Sequence, residues 1–172
     1  MKKLFTRGLV VIAGMVSLPL AVSPQHTQTV PAADYRSDPR LQALRKFFAK
    51  FDCPAWKYAA TFLEAADDYD LDWRLLPSIS YVESTGGKAA RYNNLFGWDS
   101  GRAHFPSPVA GIHTVGFRLA HSGQYRDKNL DELLETYNPN VEYAAKVKSV
   151  MRRIAPAQYP ELGQRVPAVA GW

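Results

Sequence analysis

The stretch Leu71-Asp72-Trp73-Arg74-Leu75-Leu76-Pro77-Ser78-Ile79-Ser80-Tyr81-Val82-Glu83-Ser84 carries the pattern on which the fold turns. Asp72 supplies a helix start, and Leu75, Leu76, Ile79 and Val82 recur at helical spacing up to the pair Gly86-Gly87. Pro77, near the start, predicts a kink. Glu83 falls seven residues after Leu76 and four after Ile79, on the edge of the apolar face. A carboxyl held there loses hydration, keeps its proton, and acquires the property of a general acid. The same spacing also suits a helix-end glutamate that turns to water or to a backbone donor.

Similar patterns extend on both sides. Asp38-Pro39 opens a first helix with Leu41, Leu44, Phe47, Phe48 and Phe51 inward. Asp52 before Pro54 opens a second, with Trp56, Ala59, Ala60, Leu63 and Ala66 as its apolar stripe up to Asp70. Between Arg91 and Pro106 helical periodicity disappears, and Leu95-Phe96-Gly97-Trp98-Asp99-Ser100-Gly101-Arg102 predicts a small hairpin or irregular lobe. Ser107-Pro108 begins another helix carrying Val109, Ile112, Val115 and Leu119. A short helix from about Leu130 to Tyr137 stops at Asn138-Pro139. The last runs from about Val141 to Ile154, with Tyr143, Val147, Val150, Met151 and Ile154 inward and Lys146, Lys148, Arg152 and Arg153 as a solvated cationic face. The expected class is mainly α.

The chain ends are of a different character. Lys2, Lys3 and Arg7 precede an uncharged apolar run from Gly8 to Val22, the pattern of a secretory leader and shorter than a spanning helix needs. The reading is a leader over 1–23, a flexible lead-in over 24–36, one domain over 37–155 and an extended tail over 156–172. It implies a secreted or periplasmic protein with no stable membrane span once the leader is removed, and a monomer.

Of the 172 residues, 47% are apolar and 12% aromatic, enough for one packed core. The formal charge of +5 falls to +2 without the three leader cations, too little for a dedicated nucleic-acid binder. Cys53 is the sole cysteine, so no intramolecular disulfide forms, and beside Pro54 it reads as a small buried hydrophobe. His26, His104, His113 and His121 lack i, i+4 ligand spacing, and no phosphate-binding glycine loop, His-Glu-X-X-His or Gly-X-Ser-X-Gly occurs. No metal and no cofactor are expected.

The stretch ending in Glu83-Ser84 resembles the catalytic-helix signature of bacterial cell-wall lysozyme-like enzymes. Asn93-Asn94-Leu95-Phe96-Gly97-Trp98, which follows it, resembles the Asn-Asn-Leu-Phe-Gly segment of the glucosaminidase family, whose label is mannosyl-glycoprotein endo-β-N-acetylglucosaminidase-like. Tyr137-Asn138-Pro139-Asn140, with Tyr143-Ala144-Ala145-Lys146-Val147 behind it, is similar to the closing segment of that family and of lytic transglycosylases. A transglycosylase-type Gly-Leu-Met-Gln segment is missing where Leu95 to Trp98 stand, which favours the glucosaminidase relative.

The resemblance spans about Ala60 to Ile154 and implies a lysozyme-like helical domain that cleaves β-1,4 bonds of peptidoglycan. It makes Glu83 the proton donor, with Ser84 the second member of the signature pair, Asn94, Phe96 and Gly97 the floor of a sugar cleft, and Asn93 a further substrate-binding residue. Tyr137 and Asn138 would face that floor, and Trp98 would offer a sugar platform. Core filling is the competing reading of Phe96 and Trp98, and a helix stop that of Tyr137 and Asn138. A second carboxylate is sought, and Asp99 is the first candidate, against its ordinary role of stabilising a turn. Without one, the substrate's N-acetyl oxygen or a muramic acid 6-hydroxyl would be the nucleophile. The alternatives are a muramidase or lytic transglycosylase with the same acid, and a non-catalytic glycan-binding or envelope assembly module.

Overall fold

The computed structural model describes residues 34–156, which form six α-helices and two short 3-10 turns, with no strand among them. The leader, most of the lead-in, and the tail beyond Pro156 lie outside the described residues. Helix α1 (Pro39–Lys50) starts as its sequence dictates: the Asp38 carboxylate accepts from the Arg40 N–H at 2.7 Å, and Pro39 takes a position that needs no donor. The described residues begin at Asp34, within the stretch read as lead-in. A 3-10 turn at Tyr35–Ser37 sends the Tyr35 hydroxyl to Asp67, and Arg40 bridges Asp38 and Asp67, fastening this segment to the second helix.

The second helix departs from the expected phase. Pro54–Tyr58 is a 3-10 turn, and only Ala59–Asp68 is α-helical (α2). The tighter winding shifts the residues before Ala59 off the α-helical stripe. Trp56 is 49% exposed and Ala60 also faces out, while Phe62 and Ala65 join Ala59, Leu63 and Ala66 inside. Asp52 does not cap it; its φ is +50°, and Cys53 holds the cap position without a side-chain bond. Burial also pushes the Cys53 thiol up, in keeping with a packed side chain.

Helix α3 (Leu75–Ser84) is buried on almost every side from Leu75 to Ser80, as a central helix must be. Asp72 secures its entry by accepting from the Arg74 N–H at 2.9 Å. Pro77 is the third helical residue, where no intrahelical donor is needed, so the α-helix runs on to Ser84. It ends at Thr85, in left-handed geometry, and the Thr85 and Gly86 N–H groups return to Tyr81 and Ser80. Gly86 is required there: its φ is +59°, and a Cβ would lie 2.6 Å from that of Cys53.

Residues 91–106 form turns joined by one Arg91–Asn94 bridge, so the irregular lobe is present and the hairpin is not. Left-handed backbone at Tyr92, Asn93, Gly97, Asp99 and Ser100 interrupts any extended run. Helix α4 (Pro108–His121) is capped by Ser107, whose Oγ accepts from the Ala110 N–H; Val109, expected inside, is exposed. Helix α5 (Leu130–Tyr137) begins with a reciprocal box between Asn129 and Glu132, both bonds being 3.0 Å. Asn129→Ala is expected to cost about 1 kcal/mol, read as a fall of roughly 4 °C in melting temperature; an unchanged melt would show the box to be energetically idle.

Helix α6 (Tyr143–Ile154) starts two residues later than expected and buries all five predicted inward residues. It packs against α3, and α2 against α4, around Phe48, Phe62, Leu76, Ile79 and Phe96. No helix among the described residues is long and apolar enough to cross a membrane.

Candidate functional site

Three segments distant in sequence meet at Glu83. Helix α3 carries it to its last turn, the irregular lobe supplies Gly97, and α6 supplies Tyr143. Gly97 has φ +59°, and a Cβ built on it would lie 2.6 Å from Glu83 Oε2, so the carboxyl rests directly on this glycine. Burial raises the pKa of Glu83, and the neighbouring Tyr143 phenol partly offsets that rise. The Tyr143 hydroxyl is itself buried and makes no direct hydrogen bond of ordinary geometry among the described residues. Glu83 opens on a cavity of ≈ 280 Å³ lined with it by Val82, Asn138, Asn140, Tyr143 and Lys146.

The lobe is held in place by residues that do not themselves line this cavity. Phe96 is 0% exposed and plugs the core edge-on to Phe62, which makes it a packing residue rather than part of a cleft floor. Asn94 is buried as well: its Oδ1 accepts from the Phe96 and Trp98 N–H groups, and its Nδ2 donates to the Trp98 carbonyl. One side chain thereby replaces the ladder a hairpin would have supplied. Ser84 is likewise internal, its hydroxyl donating within reach of the Ser80 and Leu95 carbonyls and accepting from the Gly87 N–H. It ties the end of α3 to the lobe and has no open face for a sugar.

Tyr137 clamps the lobe from the other side. Its hydroxyl donates to the Phe96 carbonyl at 2.5 Å, and its ring stacks on Tyr143 with centroids 5.8 Å apart. The half-buried Trp98 packs edge-on against Tyr137 at 5.7 Å, with the Arg118 guanidinium over its ring. Asn138 does line the cavity, with its Oδ1 held by the Asn140 N–H. Thus Gly97 and Asn138 stand beside Glu83, Tyr137 and Trp98 form an aromatic backing, and Ser84, Asn94 and Phe96 are internal supports.

Asn93 and Asp99 belong to the outer surface of the lobe. Asn93 Nδ2 donates to the Phe105 carbonyl at 2.8 Å. The Asp99 side chain is 56% exposed, is paired with Arg102 at 2.7 Å, and does not line the cavity. That placement suits a turn aspartate. Asp99→Asn is therefore expected to leave any glycan-cleaving rate within about threefold of the parent, since an exposed pair of this kind contributes little; a loss above a hundredfold would restore it as the second carboxylate.

Four lining residues lay outside the expected set: Val82, Asn140, Tyr143 and Lys146. Tyr143 was assignable to the core by its spacing, and its ring is buried there, but a phenol on an apolar stripe also brings a hydroxyl that needs a partner. Lys146, three residues on, shares that edge of α6 and pairs with Glu142 at 2.8 Å. Among the described residues no group of three or more histidine, cysteine, aspartate or glutamate side chains is arranged to hold a metal ion. No family model matches the chain and no curated protein sequence matches it, so the likeness drawn from its motifs stands on the residues and their geometry.

Proposed function

We propose that this protein is an exported glycosidase with a lysozyme-like domain that cuts β-1,4 bonds in N-acetylated cell-wall glycan, acting as an endo-β-N-acetylglucosaminidase with Glu83 as general acid. One observation carries the reading: a half-buried carboxyl, raised in pKa, rests on Gly97 at the mouth of a sugar-sized cavity edged by two asparagines and a tyrosine. The order of the Glu83-Ser84, Asn93-to-Gly97 and Tyr137-Asn138 motifs supports the same class.

In this reading Glu83 gives its proton to the glycosidic oxygen as the bond from that oxygen to C1 breaks. Among the described residues Glu83 is the one carboxylate in the cavity lining, which favours a nucleophile supplied by the substrate. The carbonyl oxygen of the 2-acetamido group then attacks C1 and closes a ring. Water opens that ring at C1, and its proton returns to the Glu83 carboxylate. With muramic acid on the cut side, its 6-hydroxyl takes the place of water, passes its proton to Glu83 and leaves an anhydro end. That product would assign the protein to the lytic transglycosylases, and a reducing muramic acid end to the muramidases.

The single carboxylate equally supports a second reading, a glycan-binding module without turnover. Incubating wild type and Glu83→Gln with purified peptidoglycan, then identifying released ends by mass spectrometry with and without borohydride reduction, decides among these. Reducing N-acetylglucosamine ends that depend on Glu83 are expected. Binding without any Glu83-dependent product on several wall types would leave the module.

A further inference from the structure

A second concavity, of ≈ 510 Å³, lies between α1 and α6. Its rim carries Lys46 and Lys50, one turn apart on α1, and Arg153 on α6; among the described residues no carboxylate lines it. None of these three cations has an ion-pair partner among the described residues, whereas Arg40 on α1 and Lys146 and Lys148 on α6 each do. Arg153 is held instead by aromatic faces, its guanidinium carbon 4.6 Å from the Phe51 ring centre and 5.6 Å from that of Tyr81. The rings fix the guanidinium without neutralising it, so its donors remain available to an anion from outside.

The groove and the Glu83 cavity are both lined in part by α6. Lys146, which lines that cavity, and Arg153, which lines the groove, stand at i and i+7 on α6, with exposed Ser149 between them at i+3. Seven residues of helix span about 10 Å, the length of two sugar rings in an extended strand. On the α3 side, Val82 lines the cavity while its neighbour Tyr81 packs on Arg153.

We propose that the α1–α6 groove is an anion-binding subsite that holds a carboxylate-bearing substituent of the same glycan strand whose backbone lies at Glu83. The proposal rests on the glycosidase reading for the identity of the strand; the charge and shape of the groove are independent of it. It makes the ligand an acidic glycan rather than a neutral one, and gives Lys46, Lys50 and Arg153 the task of choosing it.

The test uses the Glu83→Gln protein, so that binding is read without cleavage, and insoluble peptidoglycan either intact or with its carboxyl groups converted to amides. Co-sedimentation is expected to weaken about tenfold on amidated wall, and by a similar factor on intact wall when Lys46→Glu and Lys50→Glu are combined. Both lysines are exposed, so the double variant is expected to melt as its parent does; a second pair of changes to glutamine checks that lost attraction, rather than added repulsion, is being read. Equal binding of amidated and intact wall, or undiminished binding by the lysine variants, overturns the proposal. Binding that survives amidation and is competed by inorganic phosphate but not by acetate overturns the carboxylate assignment in favour of a phosphate-bearing ligand. Failure of the wild type to release glycan ends would sink the glycosidase reading separately, because these sedimentation comparisons need no turnover.

Discussion

Glu83→Gln is expected to lower glycan turnover by about 10²–10⁴-fold, the usual contribution of a positioned general acid, while raising thermal stability at neutral pH. The two effects share one cause. Burial raises the pKa of Glu83, so between the ordinary glutamate value and the raised one the folded protein holds a proton that the unfolded chain has released. Stability then falls as pH rises through that window, and above it the native state bears the whole penalty of a poorly hydrated charge. Glutamine carries no charge and escapes the penalty. The melting-temperature gain of the variant should therefore be largest near pH 7 and shrink below the ordinary glutamate pKa. Asp38, where hydrogen bonds from Arg40 outweigh the effect of burial and keep the pKa low, destabilises both proteins alike at acid pH and cancels in the comparison. Turnover by the parent should decline as pH rises through the Glu83 pKa, because the proton to be donated is gone. A variant that melts below its parent at pH 7, or turns over at the parental rate, would remove Glu83 from the role.

Local signals set most of the helices correctly, and the reasons are visible in individual residues. Asp38-Pro39 and Ser107-Pro108 each combine an acceptor with a residue that needs no donor, a combination decided within one turn. The α6 stripe is readable because its five inward residues share one unbroken helical phase. The phase before α2 is broken: Pro54–Tyr58 winds as a 3-10 turn, and no residue in Asp52-Cys53-Pro54 distinguishes that from an α-helical start.

Side-chain roles in the lobe were harder to read for a different reason. Asn94 and Ser84 satisfy main-chain groups that exist only once the chain has turned back on itself, so their partners are invisible in the linear order. Phe96 is drawn into the core by Phe62, 34 positions earlier, and carries the lobe with it. The motif segment therefore meets Glu83 through one residue: Gly97 is beside the carboxyl, while its neighbours position the backbone that puts it there. Asp99 is one residue past Trp98 in sequence but lies on the outer turn with Arg102, where a left-handed backbone turns it outward.

Gly97→Ala is expected to damage folding and chemistry together, and a second substitution separates the two. At φ +59° an alanine meets the left-handed penalty of roughly 1–2 kcal/mol. Its Cβ, 2.6 Å from Glu83 Oε2, must also push the carboxyl out of its seat. A displacement of about 1 Å in a catalytic group is enough for a loss near 10²-fold. Asparagine tolerates the left-handed region better than alanine but brings the same Cβ. Gly97→Asn should therefore melt above Gly97→Ala and yet be no more active. In a Glu83→Gln background the alanine change should still lower the melting temperature, since the backbone penalty does not depend on the carboxyl. Full activity in Gly97→Asn would show that the carboxyl can move without loss, and the close seat on Gly97 would then be a packing feature of the lobe. Loss of activity with recovered stability would tie the glycine to the acid itself, as the one residue at that turn whose missing side chain leaves room for the proton donor.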